Sequence, residues 1–267
     1  MIAERNTLRV SRSLAIPDSV QARQKAFMKV WQDIRIVTGV LSWVAGYVDT
    51  AGFLRLNSLF VAHVTGNLVV AGAELAGAGE ESVWVRLGVI PVFIAAVVLT
   101  TVITRTRNPR LSHLLWFEVV ALLFFSAIGI AMIPQTKLEV DVRSMFIVGS
   151  AGVFAMGIRN ALMREVFSNL PSTTVMTGNL TQFVIDVSRF VLIRDYQRME
   201  TPLAQRQELQ QRIGRMGSAV IGFVIGAACG AFFMREWGFW AILVPAIAIA
   251  LLAMDTQRQE SKMGSGE

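Results

Sequence analysis

The tetrapeptide Thr65-Gly66-Asn67-Leu68 recurs as Thr177-Gly178-Asn179-Leu180, and each copy stands inside an apolar stretch. Threonine and asparagine favour helix starts, because their side-chain oxygens accept bonds from free backbone N–H groups. The glycine between them allows a sharp turn or a close backbone approach. The pattern predicts two helices that begin near mid-membrane, with their positive dipole ends and unpaired N–H groups turned inward. Interrupted helices of this kind bind anionic or polar groups in many transporters. The same residue types also glue membrane helices together by close packing and hydrogen bonds, so a packing role competes with a binding one.

Ionisable residues inside apolar runs extend the candidate site, because a charge at membrane depth is costly unless paired or wetted. Asp49 and Arg159 stand at near-equivalent places relative to the two motifs, and Asn160 occupies the carboxylate's place in the second copy. Asp49 is expected either to pair with Arg159 in the interior, or to lie with it at helix ends in the headgroup region. His63, two residues before Thr65, is a candidate for titration near neutral pH or a hydrogen-bonded structural residue. Glu74 and Asp186 are expected near the interface, and Glu118 close enough to the basic turn at 105–110 to reach water. The candidate substrate site is therefore Thr65, Gly66, Asn67, Thr177, Gly178, Asn179, Asp49, Asn160, Arg159 and His63.

Other chemistry has little to work with. The chain holds two histidines and one cysteine, Cys229. That excludes an internal disulfide and argues against a metal site. No catalytic constellation stands out beyond the thin pair His63 and Asp49, and no Walker motif or cofactor fingerprint is present. The chain is read as a non-enzyme without a cofactor.

These residues need helices to hold them, and composition supplies helices of membrane type. Of 267 residues, 54% are hydrophobic and 16% charged, against about 25% charged in soluble domains. Mean hydropathy is +0.53. Eight apolar runs appear: 36–54, 58–76, 83–104, 111–133, 144–163, 171–191, 213–234 and 237–254. Several reach the roughly 17–25 residues that a crossing needs. The net charge of +6 comes from basic residues clustered between runs. That places them in cytoplasmic loops against anionic lipid rather than on nucleic acid. Residues 1–35 are polar and basic, lack a cleavable signal pattern, and read as a cytoplasmic tail. Residues 255–267 read as a polar, disordered tail. Gly222, Gly226 and Gly230 form a double GxxxG ridge, for packing within the bundle or for a homodimer face.

The motif copies anchor a longer repeat. Gly46-Tyr47-Val48-Asp49 aligns with Gly157-Ile158-Arg159-Asn160, and Arg86-Leu87-Gly88 with Arg215-Met216-Gly217. This predicts an all-α polytopic protein of two repeated halves, 36–133 and 134–254. About six helices would span the membrane, beside two re-entrant or interrupted helices that carry the motifs. The alternative is eight spans, and loop lysines and arginines satisfy the positive-inside rule in both. Six spans put the turn Arg105–Arg110 in the cytoplasm. They also spare the polar stretch 171–191 from facing lipid.

Residues 46–54, 60–68, 157–161 and 174–180 resemble the YoaK-type family of bacterial inner-membrane proteins, over roughly residues 35–255. The resemblance implies a multi-pass membrane protein of unknown function and carries no catalytic residues with it. From the residues themselves, the leading reading is a secondary transporter or channel for a small polar or anionic solute. It would lie in the inner membrane with both termini cytoplasmic. A scaffold or sensor acting through its tail is the alternative, and a membrane enzyme a lesser one.

Overall fold

The computed structural model describes residues 34–78, 82–133, 140–196 and 203–265. The basic tail up to residue 33, the acidic loop at Glu80 and Glu81, and the linker arginine Arg198 lie outside them. The described residues are helical: α1 (Ile34–Arg55), α2 (Val64–Ala73), α3 (Val83–Thr106), α4 (Leu111–Met132), α5 (Val142–Glu165), α6 (Met176–Tyr196), α7 (Leu203–Trp237) and α8 (Leu243–Ser265). Five helical stretches are long and apolar enough to cross a membrane. They are α1, α3, α4, α5 and the 58-residue stretch Arg206–Met263. One crossing needs about 20 residues, so the last stretch has length for two, α7 and α8, divided where Gly238 takes a φ of 54°.

Local chemistry explains the helix ends. Asn57 and Ser58 take left-handed φ values of 46° and 60° and stop α1. Asp141 caps α5 by accepting the Ser144 N–H at 3.0 Å. Inside the helices, hydroxyls return to carbonyls one turn back, as Thr100 does to Ala96 at 2.8 Å. Thr100, Thr104 and Thr256 therefore enter the apolar bundle with their hydroxyls paired. The C-terminal residues, expected to be a disordered tail, instead prolong α8. Glu260 accepts the Leu111 N–H at 2.8 Å and the Ser112 hydroxyl at 2.6 Å, and so caps α4. A carboxylate suits the positive end of a helix.

The helix directions follow from residue levels. Gly222, Gly226 and Gly230 of α7 lie against the backbone of Gly39, Trp43 and Tyr47 of α1, so these helices run parallel. Gly157 of α5 likewise meets Ala96 and the Phe93 backbone of α3, and Gly88 meets Phe146, which makes α3 and α5 parallel. In contrast, α1 and α5 are antiparallel: Arg159 bonds the Leu41 carbonyl at one level, while Gly149 meets Leu56 and Leu59 at the other. The glycine ridge is therefore spent inside the chain. The homodimer face read from it is corrected to an intramolecular seam, because α1 covers all three glycines. A side chain at Gly226 would collide with the Trp43 carbonyl, which belongs to rigid backbone. Gly226→Leu is expected to destabilise by at least the roughly 1–3 kcal/mol typical of overpacking. Thermal unfolding in detergent should show a lower Tm for it than for an exposed control, Val224→Leu.

Candidate functional site

Both motifs sit in the first turn of a helix, as the residue pattern predicts. Val64-Thr65-Gly66-Asn67 opens α2 and Met176-Thr177-Gly178-Asn179 opens α6. The capping expected of Thr and Asn is not what holds these starts. His63 occupies the N-cap of α2 and makes no side-chain cap bond, so the first N–H groups of α2 have no side-chain partner at the cap.

The two asparagines instead clamp the loops that lead into the helices. Asn67 accepts the Phe60 N–H at 2.9 Å and donates to the Phe60 carbonyl at 2.8 Å. Asn179 donates to the Ser172 carbonyl at 2.5 Å. Each partner stands seven residues before its asparagine. Asn67 and Asn179 are both buried, and both point at backbone rather than into open space.

A second pair of side chains holds the same loops from the preceding helix. One oxygen of Asp49 on α1 accepts the N–H groups of Val61, Ala62 and His63 at 3.0, 2.7 and 3.3 Å. Its other oxygen meets Nδ1 of His63 at 2.6 Å. Asn160 on α5 accepts the Thr174 hydroxyl at 2.6 Å and donates to the Met156 carbonyl at 2.9 Å. A carboxylate can accept about four bonds where an amide oxygen accepts two, and so Asp49 alone meets three loop N–H groups and the His63 ring.

The expected pairing of Asp49 with Arg159 is corrected. Arg159 lies level with Leu41, two helical turns before Asp49 and about 12 Å away along the axis. Its Nε donates to Glu118 at 2.6 Å, and Nη1 donates to the Leu41 carbonyl at 2.8 Å. Arg159 is 1% exposed and Glu118 0%, so Glu118 does not reach water as expected. The signal for this pair was present in the sequence. Glu118 is the one carboxylate deep in the run 111–133, and a buried guanidinium needs an anion. Glu74 and Asp186 also carry arginine partners, Arg86 at 2.9 Å and Arg212 at 3.1 Å. Arg86 further donates to the carbonyls of Asn57 and Ser58, each at 2.8 Å.

The starts of α2 and α6 open on one cavity of about 450 Å³. Its polar lining is His63, Thr65, Asn160, Thr174 and Thr177. Leu68, Ile90 and Phe93 supply part of an apolar wall. The cavity thus brings together four of the ten sequence candidates: His63, Thr65, Asn160 and Thr177. Asp49 stands behind His63 as its anchor. Asn67 and Asn179 brace the loops, and Arg159 belongs to the separate ion pair. Gly66 packs against the Phe60 ring and Gly178 lies near Val175. The apolar wall was not anticipated, since Ile90 and Phe93 look like any lipid-facing residues of a long apolar run. Among the described residues no group of three or more His, Cys, Asp or Glu could hold a metal ion.

Chemically, the cavity offers two hydroxyls at helix starts, an amide, and an imidazole backed by a carboxylate. That set suits binding of a small polar or negatively charged group. The Arg159–Glu118 pair lies outside it and fastens α5 to α4 and α1. Arg159→Met alone is expected to cost about 3–5 kcal/mol, because it strands a buried carboxylate. Arg159→Met combined with Glu118→Leu should recover most of that loss, as read by unfolding in mixed micelles.

Comparison with known proteins places the chain without assigning it an activity. A family described as "Protein of unknown function (DUF1275)" matches residues 37–254. The "UPF0700 transmembrane protein YoaK" of Bacillus subtilis (strain 168) is 24% identical over 210 residues, covering 79% of this chain and 88% of that protein. No solved structure matches.

Proposed function

The chain belongs to the DUF1275 family of multi-pass membrane proteins, and from that premise we propose that it is a secondary transporter or channel for a small polar or anionic solute. The observation that carries the reading is the cavity shared by the starts of α2 and α6, with His63, Thr65 and Thr177 in its wall. Two helix starts facing one cavity concentrate positive potential there from two directions. The apolar wall beside them suits a solute with a small carbon skeleton behind its polar end. No phosphate-cradling motif supplies ATP chemistry, so a solute or ion gradient would drive the flux.

The reading includes two inverted halves. The α1–α7 and α3–α5 seams correspond under exchange of the halves, and each rests on a repeat-aligned glycine. Gly46 lies against the α7 backbone, and Gly157 against the α3 backbone. The antiparallel run of α1 and α5 supports six crossings over eight, since eight would make these helices parallel. Six crossings make α2 and α6 re-entrant. They put residues 105–110 and both termini on the cytoplasmic face of the inner membrane, in keeping with the positive-inside rule.

Labelling tests this topology. In a Cys229→Ser background, an impermeant maleimide added outside should label Val142→Cys and spare Thr106→Cys. Eight crossings give the reverse. Flux tests the site. Proteoliposomes of the full chain should take up at least one of chloride, nitrate, formate, acetate and inorganic phosphate. The double variant Thr65→Val, Thr177→Val should lower that uptake about tenfold or more while its Tm stays near that of the parent. Absence of flux for every solute, or uptake untouched by the double variant, counts against the proposed site.

A further inference from the structure

The loops before α2 and α6 each carry one side-chain pair, at the same spacing. His63 meets Asp49, 14 residues back, and Thr174 meets Asn160, 14 residues back. His63, Asn160 and Thr174 all stand in the wall of the shared cavity. The second pair is neutral, a hydroxyl on an amide. The first is ionisable at both members. Among the described residues that line the cavity, His63 alone has an ionisable side chain.

The geometry places the exchangeable proton. Three N–H groups donate to one oxygen of Asp49, and the other oxygen faces Nδ1 of His63 at 2.6 Å. With donors on both oxygens of the carboxylate, a further proton belongs on the ring. Nδ1 keeps its hydrogen toward Asp49, so Nε2 is the nitrogen that gains or loses one. The His63 side chain is 33% exposed against 6% for Asp49, so the cavity reaches the ring and not the carboxylate. From α1 the ring meets Asp49, and from α7 the Phe223 ring, edge-on at 5.5 Å. Its own loop brings Phe60, and the loop before α6 brings the Thr174 backbone, which hydrogen-bonds to it. Asp49 is the one charged group among these.

Charge links the ring to the solute. With the ring neutral, the pair carries one negative charge beside the cavity. With the ring protonated, the pair is neutral. An anion entering the first state meets the field of a carboxylate. In the second it meets an imidazolium, with two helix starts beside it. Away from bulk water that difference counts for more than it would in solution. We infer that the cavity binds a small monovalent anion together with one proton, and that Nε2 of His63 is the atom that takes the proton. The proton comes from water and returns to water, and no other bond is made or broken. The inference rests on the transport reading for its solute class, and it adds the coupling ion. Anion and proton each favour the other's binding by the same factor.

The test reads the ring itself. The full chain in micelles, in a His113→Gln background, leaves His63 as its single histidine. NMR of the labelled ring nitrogens should show it titrating between about pH 5 and pH 8. At fixed pH, at least one of nitrate, chloride, formate and acetate should raise the ratio of protonated to neutral ring about fivefold or more. Asp49→Asn, which gives the first loop the amide of the second, should lower that ratio about tenfold or more. Circular dichroism checks its fold, and the anion response of the parent decides if it fails to fold. A ring that does not titrate in this range, or that ignores all four anions, overturns the inference. In proteoliposomes, corrected for protein-free vesicles, an inward proton gradient should accumulate the responding anion about tenfold per pH unit. His63→Gln should abolish that accumulation. Uptake that ignores the proton gradient overturns the inference and leaves the transport reading standing. A ring that responds to the anion in a protein without flux overturns the transport reading and upholds proton-linked binding.

Discussion

Backbone that is not helical must still satisfy its N–H and C=O groups where no water can do so. The loops 56–63 and 166–175 interrupt an otherwise helical bundle, and nearly every other feature of the site answers to that demand. Asp49 collects three successive N–H groups, Asn67 takes both polar groups of Phe60, and Asn179 takes the Ser172 carbonyl. Asn160 reaches its loop through a hydroxyl. With the loops stapled, α2 and α6 can begin where they do, and their starts can face one cavity. Loss of a staple would leave a buried amide unpaired, which is costlier than loss of an ordinary contact.

Close approach of backbones is the second requirement. The α1–α7 seam has glycine on one side at every turn of contact, so packing is Cα on carbonyl with no side chain between. Such seams gain van der Waals contact and lose little side-chain entropy. They bring Tyr47 near enough to the turn between α7 and α8 for its hydroxyl to donate to the Ala241 carbonyl at 2.9 Å. The buried Arg159–Glu118 pair completes the fixation of α5. Its value lies in specifying one arrangement of α1, α4 and α5 more than in net stability.

Much of this was legible in the residues. Apolar runs marked most of the membrane helices, though α7 begins ten residues before its run and α8 ends eleven after its own, and the twin motifs marked where α2 and α6 begin. Side-chain destinations were less legible, for a geometric reason. Repeat position equates Asp49 with Asn160, and it brought Arg159 close to Asp49 on paper. Whether two such residues meet depends on how far one antiparallel helix slides past the other, and that offset is not written in either helix alone. The asparagines misled in a different way. Their type signals a polar task at membrane depth, but a carbonyl of the chain itself meets that need as well as a solute does. The extension of α8 to Ser265 escaped notice because polar composition after a membrane run looks like a tail until Glu260 finds the start of α4.

The glycine seam also constrains how this molecule can move. It joins α1, from the first half of the chain, to α7, from the second, over more than two turns of interlocked backbone. The matching seam joins α5 to α3. In the α1–α7 pair, sliding would lift carbonyls over Cα atoms. The seams thus tie helices into sets that cut across the sequence halves, α1 with α6 and α7, and α5 with α2 and α3. The antiparallel crossing of α1 and α5 lies between the sets, and the cavity at His63, Thr65 and Thr177 is lined from both.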